Sequence, residues 1–184
     1  PTLIAEIESL VAQRAQVIHL CDSEFNLPRD HALSVCTAII EAGLSDKIRW
    51  YTYATPLKFD DELAHRMKAA GCAGINFGVD PCSPEILTAL GREHRIQDLE
   101  QAILAVKKEK IPFMFDLLLG GPGETQDTLK EVITFCKEND VMRTGANVGL
   151  RIYPGTPLAE KLTSAGSLSQ NRNLTGQVED NPDL

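Results

Sequence analysis

The sequence has no closely spaced cysteines. Cys21, Cys36, Cys72, Cys82 and Cys136 include no CxxC pair and no CxxxCxxC run, and the closest two are Cys72 and Cys82. These five cannot form a compact three-thiolate loop. Positive charge is also scarce: 18 Lys and Arg against 26 Asp and Glu leave a net charge of −8. A nucleic-acid backbone is therefore a poor partner. No apolar run approaches the roughly 20 residues of a membrane helix. No secretory leader opens the sequence, which sets the expectation of a cytoplasmic protein. No G-x-G-x-x-G turn follows the first predicted strand, so a barrel or partial barrel is favoured over a dinucleotide fold.

What is present is ordinary for a folded domain, with 43% hydrophobic and 24% charged residues over 184 positions. The chain is long enough for one domain with a real core. Its organising stretch is Phe113 to Leu119 followed by Gly120-Gly121-Pro122-Gly123-Glu124-Thr125. The near-continuous apolar run predicts a strand buried on both faces, as in a parallel sheet. The glycines permit backbone angles closed to other residues and close approach of another molecule. Thr125 is placed to cap a helix whose Leu129, Val132, Ile133 and Cys136 share one face.

Apolar periodicity and breakers predict the remaining elements. Helices are expected over Pro1–Ala15, Pro28–Ala42 and Asp60–Ala70, then from a Ser83 cap onward, with a short one at Leu158–Leu162. Strands are expected over Gln16–Leu20, Lys47–Ala54, Ala73–Val79, Phe113–Leu119 and Asn147–Tyr153. Five strands alternating with helices predict βαβ units and a parallel sheet. The first helix has no strand before it, so the chain reads as beginning half-way through a unit. Residues 1–163 are expected to form the core. From Ser164 to Leu184 the composition turns polar, which predicts a linker or the start of a further region. Asn173-Leu174-Thr175 matches a glycosylation sequon and is read as chance. Cys36 and Cys136 lie on apolar helix faces and read as small buried hydrophobes.

In a parallel barrel every strand's carboxyl end lies on one face. The sequence sets polar groups at these ends: Asp22 and Glu24, then Thr55, Asp80, Glu124, and finally Arg151 and Tyr153. Helix starts attract acids through the dipole, which alone accounts for Asp60 and Glu85. Asp80 follows its strand directly and precedes the cap, so the dipole explains it less well. His19, His31, His65 and His94 read as solvated or packed side chains.

Four segments occur in a recognisable order: Asp22-Ser23-Glu24-Phe25-Asn26, Phe77-Gly78-Val79-Asp80, Gly120 to Thr125, and Tyr153-Pro154-Gly155-Thr156-Pro157-Leu158. Together they resemble the core of radical S-adenosylmethionine (SAM) enzymes. The similarity is to the branch whose members often carry an upstream cobalamin-binding domain, which includes methyltransferases, methylthiotransferases and the anaerobic magnesium-protoporphyrin monomethyl ester cyclase. The resemblance implies a partial TIM-like (βα)6 barrel of the α/β class, here with five strands and the first strand missing. It implies SAM and a [4Fe–4S] cluster as cofactors, cobalamin in some members, a small-molecule substrate, and an electron donor such as flavodoxin or ferredoxin. It places Asp22 and Glu24 near the methionine amino group and Asp80 near the ribose. It places Gly120, Gly121 and Glu124 beside the adenine, and Arg151 and Tyr153 toward substrate or SAM. Two departures stand out. Asp80 replaces a longer glutamate, and the family's CxxxCxxC loop is absent, so the chain reads as an inactive fragment of a longer enzyme.

Two other readings remain open on the residues. One is an iron-free (βα) barrel binding a phosphorylated ligand at Gly120–Gly123. The other is a non-catalytic barrel module.

Overall fold

The computed structural model describes residues 2–172 and 174. Pro1, two of the three sequon residues and most of the expected polar tail lie outside the described residues. The chain divides into two compact units, residues 1–149 and 150–184.

The first unit holds one parallel sheet, built from β1 (Val17–Leu20), β2 (Arg49–Ala54), β3 (Cys72–Gly78), β4 (Phe113–Leu119) and β5 (Thr144–Val148). Strand order in space follows strand order in sequence. Helices α1 (Thr2–Ala12), α2 (Arg29–Glu41), α3 (Asp61–Ala69), α4 (Pro84–Ala89), α5 (Ile96–Lys108) and α6 (Gln126–Glu138) complete it. Right-handed crossovers between sequential parallel strands put the crossover helices on one face. That face carries the core: Trp50, Ile75, Phe77 and Phe115 are buried with Ile39, Leu63, Met67, Leu99 and Val106. Phe59 and Phe77 meet edge-on with ring centroids 5.0 Å apart. The indole N–H of Trp50 donates to the Ala70 carbonyl at 2.8 Å, so the buried polar atom is satisfied.

The opposite face follows from the register. His19 aligns with Tyr51, Tyr53 with Asn76, Gly78 with Asp116, and Asp116 with Gly145. These positions are exposed or half-buried. The expectation of a β4 buried on both faces is therefore corrected. Phe115 and Leu117 are buried, while Met114, Asp116 and Leu118 on the other face are only half-buried.

Several element ends match their chemistry. Asp60 caps α3 by accepting the Leu63 N–H at 2.9 Å, and Thr125 caps α6 by accepting the Thr128 N–H at 3.2 Å. Ser83 precedes α4 as expected but makes no side-chain cap bond. The stretch after Ser83 breaks into two helices. Gly91 takes a φ of +68°, while the amide of Arg92 bonds back to the Leu87 carbonyl and that of Gly91 to Thr88. This is a Schellman stop.

One strand was placed wrongly. β5 is Thr144–Val148, not Asn147–Tyr153, so Arg151 and Tyr153 are not strand residues. The cause lies in its partner: β4 pairs with β5 only as far as Leu119↔Val148. Beyond Leu119 the chain turns at Gly120, and Gly149 closes the ladder with a last bond to the Leu119 carbonyl.

The second unit holds α7 (Pro157–Ala165) and a short 3-10 turn, Leu168–Gln170. Thr156 caps α7 through the Ala159 N–H at 3.3 Å. Tyr153 is 57% exposed and Arg151 is exposed.

Candidate functional site

Because all five strands are parallel, the loops after Leu20, Ala54, Gly78 and Leu119 leave the sheet at one edge. The expected polar residues of the first unit gather there, in different states.

Asp22 is exposed and Glu24 half-buried in the loop after β1. The same loop is tied to the next by Asn26. Its amide donates to the carbonyls of Thr55 at 2.9 Å and Leu57 at 3.1 Å, and its oxygen accepts the Thr55 N–H. Thr55 is buried, and its hydroxyl accepts from the Leu57 N–H. It braces the loop.

Asp80 is 4% exposed and adopts a φ of +54°. A left-handed non-glycine residue ahead of a proline is uncommon and is tolerated best by Asp and Asn. Its Oδ2 lies against Nε of Arg92. The carboxylate is thus buried against a cation. Before it, the Val79 amide donates to the Asp116 carbonyl, and the Val79 carbonyl accepts from Nε2 of His94 at 3.1 Å.

Glu124 folds back over the glycine turn. Its Oε2 accepts from the amides of Gly120 and Gly121, the latter at 2.9 Å. Its Oε1 is buried with no partner. Gly120 holds a φ of +88°, and a Cβ there would stand 3.2 Å from the Gly149 amide. The turn thus needs glycine for both its angle and its approach to β5. Gly120 and Gly121 do not present free amides, because the glutamate takes them. A carboxylate in that position repels a phosphate, which argues against the iron-free phosphate-binding reading.

Sequence reasoning missed two residues. Arg92 supplies the cation beside Asp80; in the sequence it sits in the polar stretch around His94, where nothing marks it out. Asp116 sits mid-strand within an apolar run, on the half-buried face of the sheet. Burial raises its pKa, and a hydrogen bond from Asn76 works against that rise. Its register neighbours are glycines, Gly78 and Gly145, and a Cβ at Gly145 would stand 2.8 Å from its Oδ1. The only signal was a charge interrupting Phe113–Leu119.

The cysteines do not fit a cluster. Burial drives the thiols of Cys36 and Cys72 up to about 12. Contact with Cys136, together with burial, raises the Cys82 thiol, and the same contact lowers that of Cys136. Iron–sulfur ligands are thiolates. Among the described residues no three His, Cys, Asp or Glu side chains group as a metal site.

The radical SAM superfamily model matches residues 2–136. Tryptophan 2-C-methyltransferase of Streptomyces laurentii is 34% identical over 172 residues, covering 87% of this chain and 29% of that protein. Anaerobic magnesium-protoporphyrin IX monomethyl ester cyclase of Cereibacter sphaeroides is 28% identical over 164 residues, covering 87% and 26%. The radical SAM methyltransferase TsrM from Kitasatospora setae, solved with cobalamin and a [4Fe–4S] cluster, superposes with a TM-score of 0.82 at 32% identity, covering 88% of this chain and 33% of that one. A second TsrM structure holds tryptophan and a SAM analogue, with a TM-score of 0.81. The chain spans no more than about a third of these proteins. With five parallel strands in a single sheet and this match over most of its length, the chain belongs to the radical SAM superfamily.

Proposed function

We propose that residues 1–163 form much of the SAM-binding core of a radical SAM enzyme, with residues 164–184 leading toward a further region. The observation that carries this reading is a pair of carboxylates on adjacent strand ends. Glu124 keeps a buried oxygen without a hydrogen bond, and the buried carboxylate of Asp80 is met by the Arg92 guanidinium. Buried acceptors of this kind fit a ligand rich in donors. SAM offers an ammonium group and two ribose hydroxyls as donors, and a carboxylate that suits the Arg92 guanidinium.

On this reading Asp22 and Glu24 meet the methionine ammonium, and Asp80 accepts from the ribose. Asp116 adds a second acceptor on the half-buried face. Glu124 holds the Gly120–Gly121 turn in shape beside the adenine. When bound at a reduced [4Fe–4S] cluster, SAM supplies radical chemistry or, with cobalamin, a methyl group. The thiolates for that cluster come from outside residues 1–184, because the cysteines present do not fit it. Residues 1–184 alone are therefore inactive, and the working enzyme draws electrons from a flavodoxin or ferredoxin.

The reaction class is methylation of a small heteroaromatic substrate, supported by the similarity to tryptophan 2-C-methyltransferase. Oxidative cyclisation is the alternative, supported by the cyclase. The test is anaerobic calorimetric titration of SAM into the cluster-loaded enzyme, followed by mass spectrometry of tryptophan incubated with it. Saturable SAM binding is expected. No binding to a loaded enzyme would overturn the reading, and binding without methylated tryptophan would leave the core assignment and remove the substrate class.

A further inference from the structure

Arg92 lies in the six-residue connection from Leu90 to Arg95, between α4 and α5. The connection is fixed at both ends. The Schellman bonds to Leu87 and Thr88 hold its start, and the Arg95 amide donates to Asp98 Oδ2 at 2.7 Å at its close. Between these anchors Gly91, Arg92, Glu93 and Arg95 are exposed, whereas His94 is 4% exposed. Its Nε2 donates to the carbonyl of Val79, the residue immediately before Asp80.

We infer that His94 is a positioning residue, a latch that ties the α4–α5 connection to the end of β3 and so holds the Arg92 guanidinium at Asp80 for the carboxylate of SAM. The inference rests on the SAM reading of Arg92 given above.

Three observations converge. The Arg92 side chain is 41% exposed, against 5% for Asp80, so the guanidinium faces solvent and is not held by surrounding packing. The His94 bond ties this connection to the end of β3, two residues from Arg92 and one from Asp80. It also fixes the Val79 carbonyl beside a residue in the left-handed region, where backbone strain needs surrounding support. Histidine suits the task because its ring reaches from the connection to a strand carbonyl while filling buried space.

The test is a double-mutant cycle in the cluster-loaded enzyme, read as the SAM dissociation constant by anaerobic calorimetry, with the thermal midpoint recorded alongside. The variants are Arg92→Ala, His94→Leu, the double variant and His94→Gln. Leucine fills the site without the bond, and glutamine can restore an N–H to Val79. Loss of a buried hydrogen bond predicts SAM binding about three- to tenfold weaker in His94→Leu. No further loss is expected once Arg92 is gone, and affinity near that of the parent in His94→Gln. If His94→Leu does not fold, His94→Asn, too short to reach the carbonyl, takes its place. Equal weakening with and without Arg92 would make His94 a packing residue and overturn the inference. Weakening by Arg92→Ala but not by His94→Leu would remove the latch and leave the SAM reading standing. An unchanged affinity in Arg92→Ala would remove the SAM role of Arg92, and the latch with it.

Discussion

Glu124 Oε2 accepts the Gly121 amide at 2.9 Å and the Gly120 amide beside it, so one carboxylate closes the turn that follows β4. Charge-assisted bonds of this kind contribute about 1.5–3 kcal/mol. Glu124→Ala is expected to lower stability by roughly that amount, measured by urea unfolding of the chain. A variant as stable as the parent would show that the turn holds its shape without the glutamate.

Gly120→Ala acts on the same turn through the backbone. A side chain at a φ of +88°, 3.2 Å from the Gly149 amide, must strain the turn or push β5 away. The expected cost is about 1–3 kcal/mol. Gly149 does not share the crowding, since a Cβ there would meet nothing within 4 Å. Comparing the two glycine-to-alanine variants by thermal unfolding separates close approach from backbone angle: Gly120→Ala should be the more destabilised.

Asp116→Asn is expected to raise the thermal midpoint at neutral pH. Burial raises the carboxyl pKa of the folded chain. The folded state then binds the proton more tightly than the unfolded state. The penalty is fully present above the folded pKa and disappears below the unfolded value, near 4 for an ordinary aspartate. The stabilising effect of the substitution should therefore shrink as pH falls through that window. A constant gain from pH 4 to 8 would contradict the burial account.

Asp60 runs the other way. Burial disfavours its charge, but hydrogen bonds from Arg29 and the Leu63 amide outweigh burial and lower its pKa. Arg29 joins the start of α2 to α3 through Asp60 at 2.7 Å. The resulting stability is present above the ordinary carboxylate range and is lost as pH falls through the depressed pKa. Arg29→Ala should reduce stability at pH 7 and matter less near pH 3. The pair is partly exposed, and added salt should weaken its effect.

The regular part of this fold was legible because its signals are local. The β-forming residues of Lys47–Ala54, the Thr125 cap and the glycine after Ala42 each set an element without help from distant residues. The order of strand-end motifs located Asp80 and Glu124. What was not legible depended on partners. β5 ends where β4 stops pairing, which nothing in Asn147–Tyr153 reveals. Apolar Phe113–Leu119 concealed a half-buried face, because coverage is set by crossover handedness and not by composition. Arg92 and Asp116 became site candidates only when the Schellman stop at Gly91 and the strand register brought them beside Asp80 and Gly78.

The central claim is that the buried carboxylate of Asp80 holds SAM. Asp80→Asn is the sharpest variant, since asparagine keeps the shape and tolerates the left-handed backbone. Replacing a charge-assisted bond by a neutral one should weaken SAM binding about five- to tenfold. The measurement is anaerobic calorimetric titration of SAM into the cluster-loaded enzyme and its Asp80→Asn variant, with equal cluster content confirmed spectroscopically. A weakened dissociation constant in a variant that still folds is the predicted result, and an affinity equal to the parent's would contradict the account.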